Sequence, residues 1–295
     1  MPEATVTPRL MLDHCACVVN DFAAGAARWE RLGFNLTPES RQRGAVPGRE
    51  EFHPWATANR CAILRGTYLE FVGVVDPHAY NPWAQFIARN EGLHILAMRC
   101  DDADSAYAAL SARTRALLPP VPRERVLDVD GEPRVMRFRN IFSRDAEWPE
   151  TRYLVIEHQT PEYLWQPRYQ RHDNGACELV AVTFVADDPS TLLPRMRALG
   201  AQEYVQSAGG VSASLPGSGT LHVMRADAYA EAYGYAPSLR SGMHAMTVSF
   251  SGLGRTLDLL AKRGVAVASL PHGHWIAPCD TNGFVMQLVE AEEHS

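Results

Sequence analysis

Histidines open three similar apolar runs in this sequence. His14 lies in Leu12-Asp13-His14-Cys15-Ala16-Cys17-Val18-Val19, His94 in Gly92-Leu93-His94-Ile95-Leu96-Ala97-Met98, and His244 in Gly242-Met243-His244-Ala245-Met246-Thr247-Val248. His14 and His94 hold the same place in their runs. Two carboxylates are awkwardly placed: Glu70 in Tyr68-Leu69-Glu70-Phe71-Val72 and Glu157 in Tyr153-Leu154-Val155-Ile156-Glu157-His158. A carboxylate in an apolar strand needs a partner if it is buried. Imidazole and carboxylate together form a hard-to-borderline donor set that suits a divalent ion. Strand alternation points only one of Glu157 and His158 to a given face, and the sequence leaves open which.

The elements that must position these groups come as a repeat. Residues 12–19 read as a buried strand. Asn20-Asp21 offers a helix N-cap, Phe22, Ala26, Trp29 and Leu32 lie at helical spacing, and Gly33 closes the helix. Phe34–Thr37 starts a further strand. Residues 38–59, rich in charge, glycine and proline, read as a long exposed loop. Residues 60–64 and 67–74 then read as a hairpin around Arg65-Gly66. The order recurs from residue 92, with a helix carrying Ala103, Tyr107 and Leu110, a proline-interrupted loop over 117–134, and strands at 135–142 and 153–158. It recurs again from 179 and from 243. Each unit is strand, helix, then strands. The expected domains are 8–158 and 177–292, joined by a connector over 159–176 whose Tyr163, Trp165 and Tyr169 pack a seam or form a lid.

The chain has 295 residues, 46% of them hydrophobic and 21% charged, with a net charge of -6. That is the profile of a globular protein, with no broad basic surface for nucleic acid. No apolar run reaches the roughly 20 residues that span a bilayer. The N-terminus lacks the layout of a signal peptide, so a cytoplasmic location is expected. The six cysteines form no Cys-x-x-Cys pair, and most sit in apolar runs as small hydrophobes.

The ordered set Leu12-Asp13-His14…Asn20-Asp21, Tyr68-Leu69-Glu70, Gly92-Leu93-His94 and Asp280-Thr281-Asn282-Gly283-Phe284 resembles the vicinal oxygen chelate superfamily, which includes glyoxalase I, extradiol dioxygenases and bleomycin-resistance proteins. The chain looks most like its glyoxalase-like domain proteins. The resemblance implies an α+β fold of four βαβββ modules paired into two open, barrel-like cups. Carried over position by position, it implies a metal site of His14, Glu70, His94 and Glu157, with Glu70 and Glu157 as catalytic proton carriers. His158 replaces Glu157 if it is the inward residue. The ion would be Zn, Ni, Fe, Mn or Co. The second half departs from the pattern: Val180 stands where the first-strand histidine would be and Gln287 where a carboxylate would be, with His222 at or beside the matching place in the third unit. That half is expected to be structural, and His272 and His274 fall in a loop.

Three functions are implied. The first is a metal-dependent lyase or isomerase acting on a small substrate through two adjacent oxygens. The second is an extradiol-type dioxygenase, whose metal would sit in the C-terminal pair. The third is a metal-free small-molecule binding protein. Arg41, Arg43, Arg49 and Arg60 border the expected mouth of the first cup and are either anion holders or solvated loop charges, the second being preferred. His53 and Trp55 share that loop. A chain of four modules completes its own cups, so a monomer or homodimer is expected.

Overall fold

The computed structural model describes residues 9–270 and 273–292. The first module comprises β1 (Met11–Val19), α1 (Phe22–Arg31), β2 (Ser40–Gly44), β3 (His53–Ile63) and β4 (Tyr68–Val74). A short helix, α2 (Ala84–Ile87), leads to the second: β5 (Gly92–Arg99), α3 (Ala103–Ser111), β6 (Val121–Val129), β7 (Glu132–Phe142) and β8 (Arg152–His158). The connector holds α4 (Pro161–Leu164). The third module has β9 (Ala176–Val185), α5 (Leu193–Ala198), β10 (Gln202–Ser207), β11 (Gly210–Leu215) and β12 (Gly219–Met224), followed by α6 (Ala226–Tyr233). The fourth has β13 (Gly242–Phe250), α7 (Leu253–Lys262), β14 (Val267–Leu270), β15 (Gly273–Ile276) and β16 (Val285–Glu290).

These strands make two eight-stranded mixed sheets, β2-β3-β4-β1-β5-β8-β7-β6 and β10-β11-β12-β9-β13-β16-β15-β14. The four βαβββ modules are therefore present. Within each module the first and last strands are neighbours, and a helix follows the first strand. Local chemistry sets the helix starts: Asp21 accepts from the Ala24 N–H at 2.9 Å and Asp102 from the Ser105 N–H at 2.7 Å.

By packing, the chain divides into two compact units. One holds the segment ending at His14 with Ile95–Gln166 and Val180–Met243. Tyr153 stacks on Phe184 in its core, ring centroids 6.0 Å apart. The other holds Cys15–His94, Pro167–Leu179 and the segment beginning at His244. Its centre is the fully buried Trp29, which meets Phe34, Phe71 and Phe284 at 5.3, 6.5 and 6.4 Å.

Two expected loops are strands. Within 38–59, Ser40–Gly44 is β2 and β3 already begins at His53, while Phe34–Thr37 forms no strand. Within 117–134, β6 and the start of β7 form a hairpin in which Val129 pairs with Glu132 around Asp130-Gly131. Both turn residues have positive φ, 55° and 86°, as a two-residue type I′ turn requires. Both misread strands are sheet edges. An edge strand has one backbone side unpaired, so it tolerates Pro122 and carries charge instead of an apolar pattern.

Candidate ligand site of the N-terminal modules

In the second unit, register defines a polar face. Cys61 pairs with Glu70, Asn59 with Val72 and Thr57 with Val74, so these side chains share one side of β3 and β4. Phe71 points the other way, onto α1, where its ring lies 5.1 Å from that of Phe22. Glu70 is therefore turned from the helix, and it is buried. Asn59 Nδ2 donates to Glu70 Oε1. Beside them, Gln42 Oε1 accepts from Thr57 Oγ1 at 2.6 Å and from Trp83 Nε1 at 3.3 Å. Trp83 packs on Phe86 at 6.2 Å and Phe86 on the His94 ring at 5.3 Å.

His94 is fully buried. Its Nε2 lies 2.9 Å from the Asn90 carbonyl oxygen, which can only accept, so Nε2 carries the proton. The Nδ1 atom is then a lone-pair acceptor. It is buried and has no hydrogen-bond partner among the described residues. Burial pushes the His94 pKa down to about 4, so the ring is neutral at pH 7.

The other unit holds His14 and Glu157. His14 Nδ1 lies 2.7 Å from Asp13 Oδ1. The His158 Nε2 meets the same carboxylate at 3.2 and 3.3 Å. Burial alone would raise the pKa of Asp13, but the hydrogen bonds and charge of the two imidazoles outweigh it and hold the carboxyl well below the usual range. Arg99 lies 3.9 Å from Asp13 and 5.5 Å over the Trp165 ring, on which His158 packs edge-on at 5.0 Å. The sequence reading missed Asp13, Arg99 and Trp165 as partners. Their signal was the Asp-His pair itself and the Trp165 of the aromatic connector.

Of the adjacent pair, His158 thus turns to Asp13 and Glu157 to α3. Glu157 Oε2 accepts from the Ala103 N–H at 2.9 Å and lies 3.6 Å from Arg139 Nη1. The internal repeat explains this placement. His94 and His244 each stand three residues before the partner of a last-strand residue: Ala97 pairs with Leu154, and Thr247 with Gln287. Leu154 is therefore the counterpart of Gln287, and Glu157 is the counterpart of Glu290. Glu290 in turn accepts from the Gly252 and Leu253 N–H groups at the start of α7, both at 2.7 Å. Both acids cap helices.

In the third module the same register pairs Thr183 with His222, which fixes His222 at the last-strand place. His222 Nδ1 lies 2.7 Å from Ser212 Oγ, and burial lowers its pKa. Gln287 Oε1 accepts from Thr247 Oγ1 at 3.0 Å. His274 lies on β15 with its Nδ1 2.8 Å from Ser269 Oγ, while His272 lies outside the described residues. Of the arginines singled out, Arg41 pairs with Glu39 at 3.0 Å, Arg43 donates to the Phe52 carbonyl at 2.9 Å and Arg60 pairs with Glu30 at 2.7 Å, while Arg49 is exposed. His53 and Trp55 lie on β3, with Trp55 Nε1 donating to the Ala45 carbonyl. Among the described residues, no three His, Cys, Asp or Glu side chains are drawn together as a metal cluster.

The folded architecture has solved counterparts. A hypothetical protein from Staphylococcus aureus superposes with a TM-score of 0.63 at 10% identity, covering 96% of this chain and 100% of that one. A mutant 4-hydroxymandelate synthase from Streptomyces coelicolor gives 0.59 at 14% identity, covering 98% and 95%. A xylose isomerase-like TIM barrel/4-hydroxyphenylpyruvate dioxygenase fusion protein gives 0.57 at 13% identity, covering 100% of this chain and 52% of that one. At such identities the likeness shows the fold. No curated protein matches the sequence. The sequence profile of the glyoxalase-like domain matches residues 12–200, nearly two thirds of the chain. With four βαβββ modules in two mixed sheets beneath that match, the chain belongs to the glyoxalase-like domain family of the vicinal oxygen chelate superfamily.

Proposed function

We propose that the N-terminal modules form a glyoxalase-like active site of the lyase or isomerase type, acting on a small molecule through two adjacent oxygens. The observation that carries this reading is the His94 Nδ1 lone pair, held in a fixed tautomer, neutral at pH 7 and buried with no partner among the described residues. An acceptor left unpaired in the interior costs stability unless a ligand completes it. A divalent ion suits that nitrogen, and Glu70 is the carboxylate donor that the resemblance implies with it. Glu157 is occupied at α3 and is not part of the proposed set. When bound, the ion supplies Lewis-acid polarisation of adjacent substrate oxygens. The chain supplies the rest. Asn59 orients the Glu70 carboxylate, which holds or moves the substrate proton, and Trp83 and Phe86 keep water from His94.

The test is elemental analysis of the purified protein and its variants. Wild type and Glu157→Ala are expected to hold about one equivalent of metal, and His94→Ala and Glu70→Ala to lose most of it. A protein that cannot be loaded with Zn, Ni, Fe, Mn or Co would favour metal-free binding. That second reading draws on the protein partners that His14 and Glu70 already have. A dioxygenase with its ion in the C-terminal pair would need donors where Val180 and Gln287 stand, and oxygen uptake with catechol under ferrous iron tests it.

A further inference from the structure

The third module carries polar groups that the metal reading does not use. Register gathers them on one side of its sheet: His222 of β12 stands beside Thr183 of β9 and opposite Ser212 of β11, and Ser214 stands opposite Gln202 of β10. The other side of β11 carries Val211, Ala213 and Leu215, all buried, so the strand is a fixed platform. Ser212, Ser214 and His222 are half-buried, within reach of a small molecule. The helix α6 borders the same side, its Tyr233 hydroxyl 3.4 Å from Thr183 Oγ1.

Two features separate this patch from an ordinary strand face. The first is the contact of 2.7 Å between Ser212 Oγ and His222 Nδ1. Burial lowers the His222 pKa from 6.5, so the ring is neutral at pH 7. A neutral ring with its proton on Nε2 accepts the Ser212 hydroxyl at Nδ1, which is how a weak nucleophile is activated. The module does not need this pair to fold, because the matching places of the fourth module hold Trp275 and Gln287. The second feature is a bulge in β10. Register shifts between Gln202 and Val205, and Glu203 there has a φ of 50°, a left-handed conformation uncommon for any residue but glycine. Ser214 Oγ donates to Glu203 Oε2 at 3.0 Å, so the bulge turns this carboxylate onto the patch. Bulges and strained residues recur beside active sites, where they re-aim a side chain. Among the described residues, no carboxylate pairs with His222 itself, so the geometry is that of a dyad.

We propose that Ser212 and His222 form a second reactive site, which transfers the acyl group of a small uncharged or cationic ester to Ser212 and then to water. Ser212 Oγ attacks the carbonyl carbon while His222 takes the hydroxyl proton. The bond to the leaving alcohol breaks, and His222 gives that proton to the alcohol oxygen. His222 next takes a proton from water, whose oxygen attacks the acyl carbon. The acid departs, and the proton on His222 returns to Ser212. The Glu203 carboxylate disfavours an anionic ester. With no acid orienting His222, turnover is slow and the covalent step is the firmer readout. The proposal does not depend on a metal.

The test is labelling of the full chain with a fluorophosphonate, which reacts with an activated serine, mapped by peptide mass spectrometry. The burst of nitrophenol from p-nitrophenyl acetate is followed beside it. The phosphonyl group is expected on Ser212. Labelling should slow by roughly a hundredfold in His222→Gln, the ordinary loss of a general base. Glutamine already stands at this place in the fourth module, so the variant suits the fold, and its amide still meets the Ser212 hydroxyl. A merely structural pair would show no such slowing. Ser212→Ala should lose the burst. Ser269→Ala should keep it, although Ser269 Oγ also lies 2.8 Å from a histidine, His274, at the exposed sheet edge. If Ser212→Ala melts early by circular dichroism, the site of the adduct and the His222→Gln rate decide. No adduct on Ser212 would overturn the proposal. So would equal labelling of Ser269, an unchanged rate in His222→Gln, or a burst that survives in folded Ser212→Ala.

Discussion

Two residues of one chemical kind, Glu70 and Glu157, fill different roles because of what their strands face. Glu70 lies on the side of β4 turned from α1, with Asn59 as its hydrogen-bond donor. Glu157 lies three residues past the place equivalent to Gln287, where its carboxylate meets an N–H group at a helix start. A negative charge at that end is favoured by the helix dipole as well as by the hydrogen bond. Glu157→Ala is therefore expected to lower stability by about 1–2 kcal/mol, read as a shifted urea midpoint. Metal loading should stay at the wild-type level. Loss of metal with unchanged stability would reverse the assignment of roles. The sequence showed that both acids sit in apolar strands. It could not show the register that separates them, since strand pairing is a long-range property.

At the scale of elements, legibility followed position in the sheet. The central strands β1, β5, β9 and β13 are apolar on both sides and stood out in the sequence. The edge strands β2 and β6 carry Ser-Arg-Gln-Arg-Gly and Val-Pro-Arg-Glu-Arg, and composition disguised them as loops. The Asp130-Gly131 pair was the available hairpin signal, and reading it would have brought Arg123 and Arg125 onto one strand face. The connector is tied down by a histidine that the sequence did not single out. His172 Nδ1 accepts from the Asn35 N–H at 3.0 Å, and its Nε2 donates to the Ile63 carbonyl at 2.9 Å. Both bonds need the neutral ring. Burial lowers its pKa from 6.5, so the unfolded chain takes up the proton first as pH falls. The stability that neutral His172 contributes is complete above pH 6.5 and is lost as pH falls from there toward the lowered folded value. His172→Gln is expected to unfold at lower urea at pH 7.5, by roughly 1–2 kcal/mol, and to show a shallower loss on acidification. An unchanged pH profile would mean that the proton is taken up elsewhere.

Across the whole molecule, one module has been used four times with different polar residues at matching places. The first-strand place holds His14, His94, Val180 and His244, and the last-strand places fixed by register hold Leu154, His222 and Gln287 in modules two to four. Duplication kept the sheets and helix caps while the site positions diverged. This is why the architecture was legible from repeats and the chemistry was not. In the N-terminal modules, the first-strand His94 bears a buried nitrogen with no partner among the described residues, and Glu70 lies on the polar face of β3 and β4. That His94 Nδ1 is an acceptor awaiting an ion is the central claim. Anomalous diffraction from crystals of the zinc-loaded full chain, recorded on either side of the zinc edge, tests it most directly. The account predicts a peak about 2.0–2.1 Å from His94 Nδ1, the ordinary zinc–nitrogen distance. Zinc peaks only at other residues, with His94 Nδ1 in contact with water or protein alone, would contradict it.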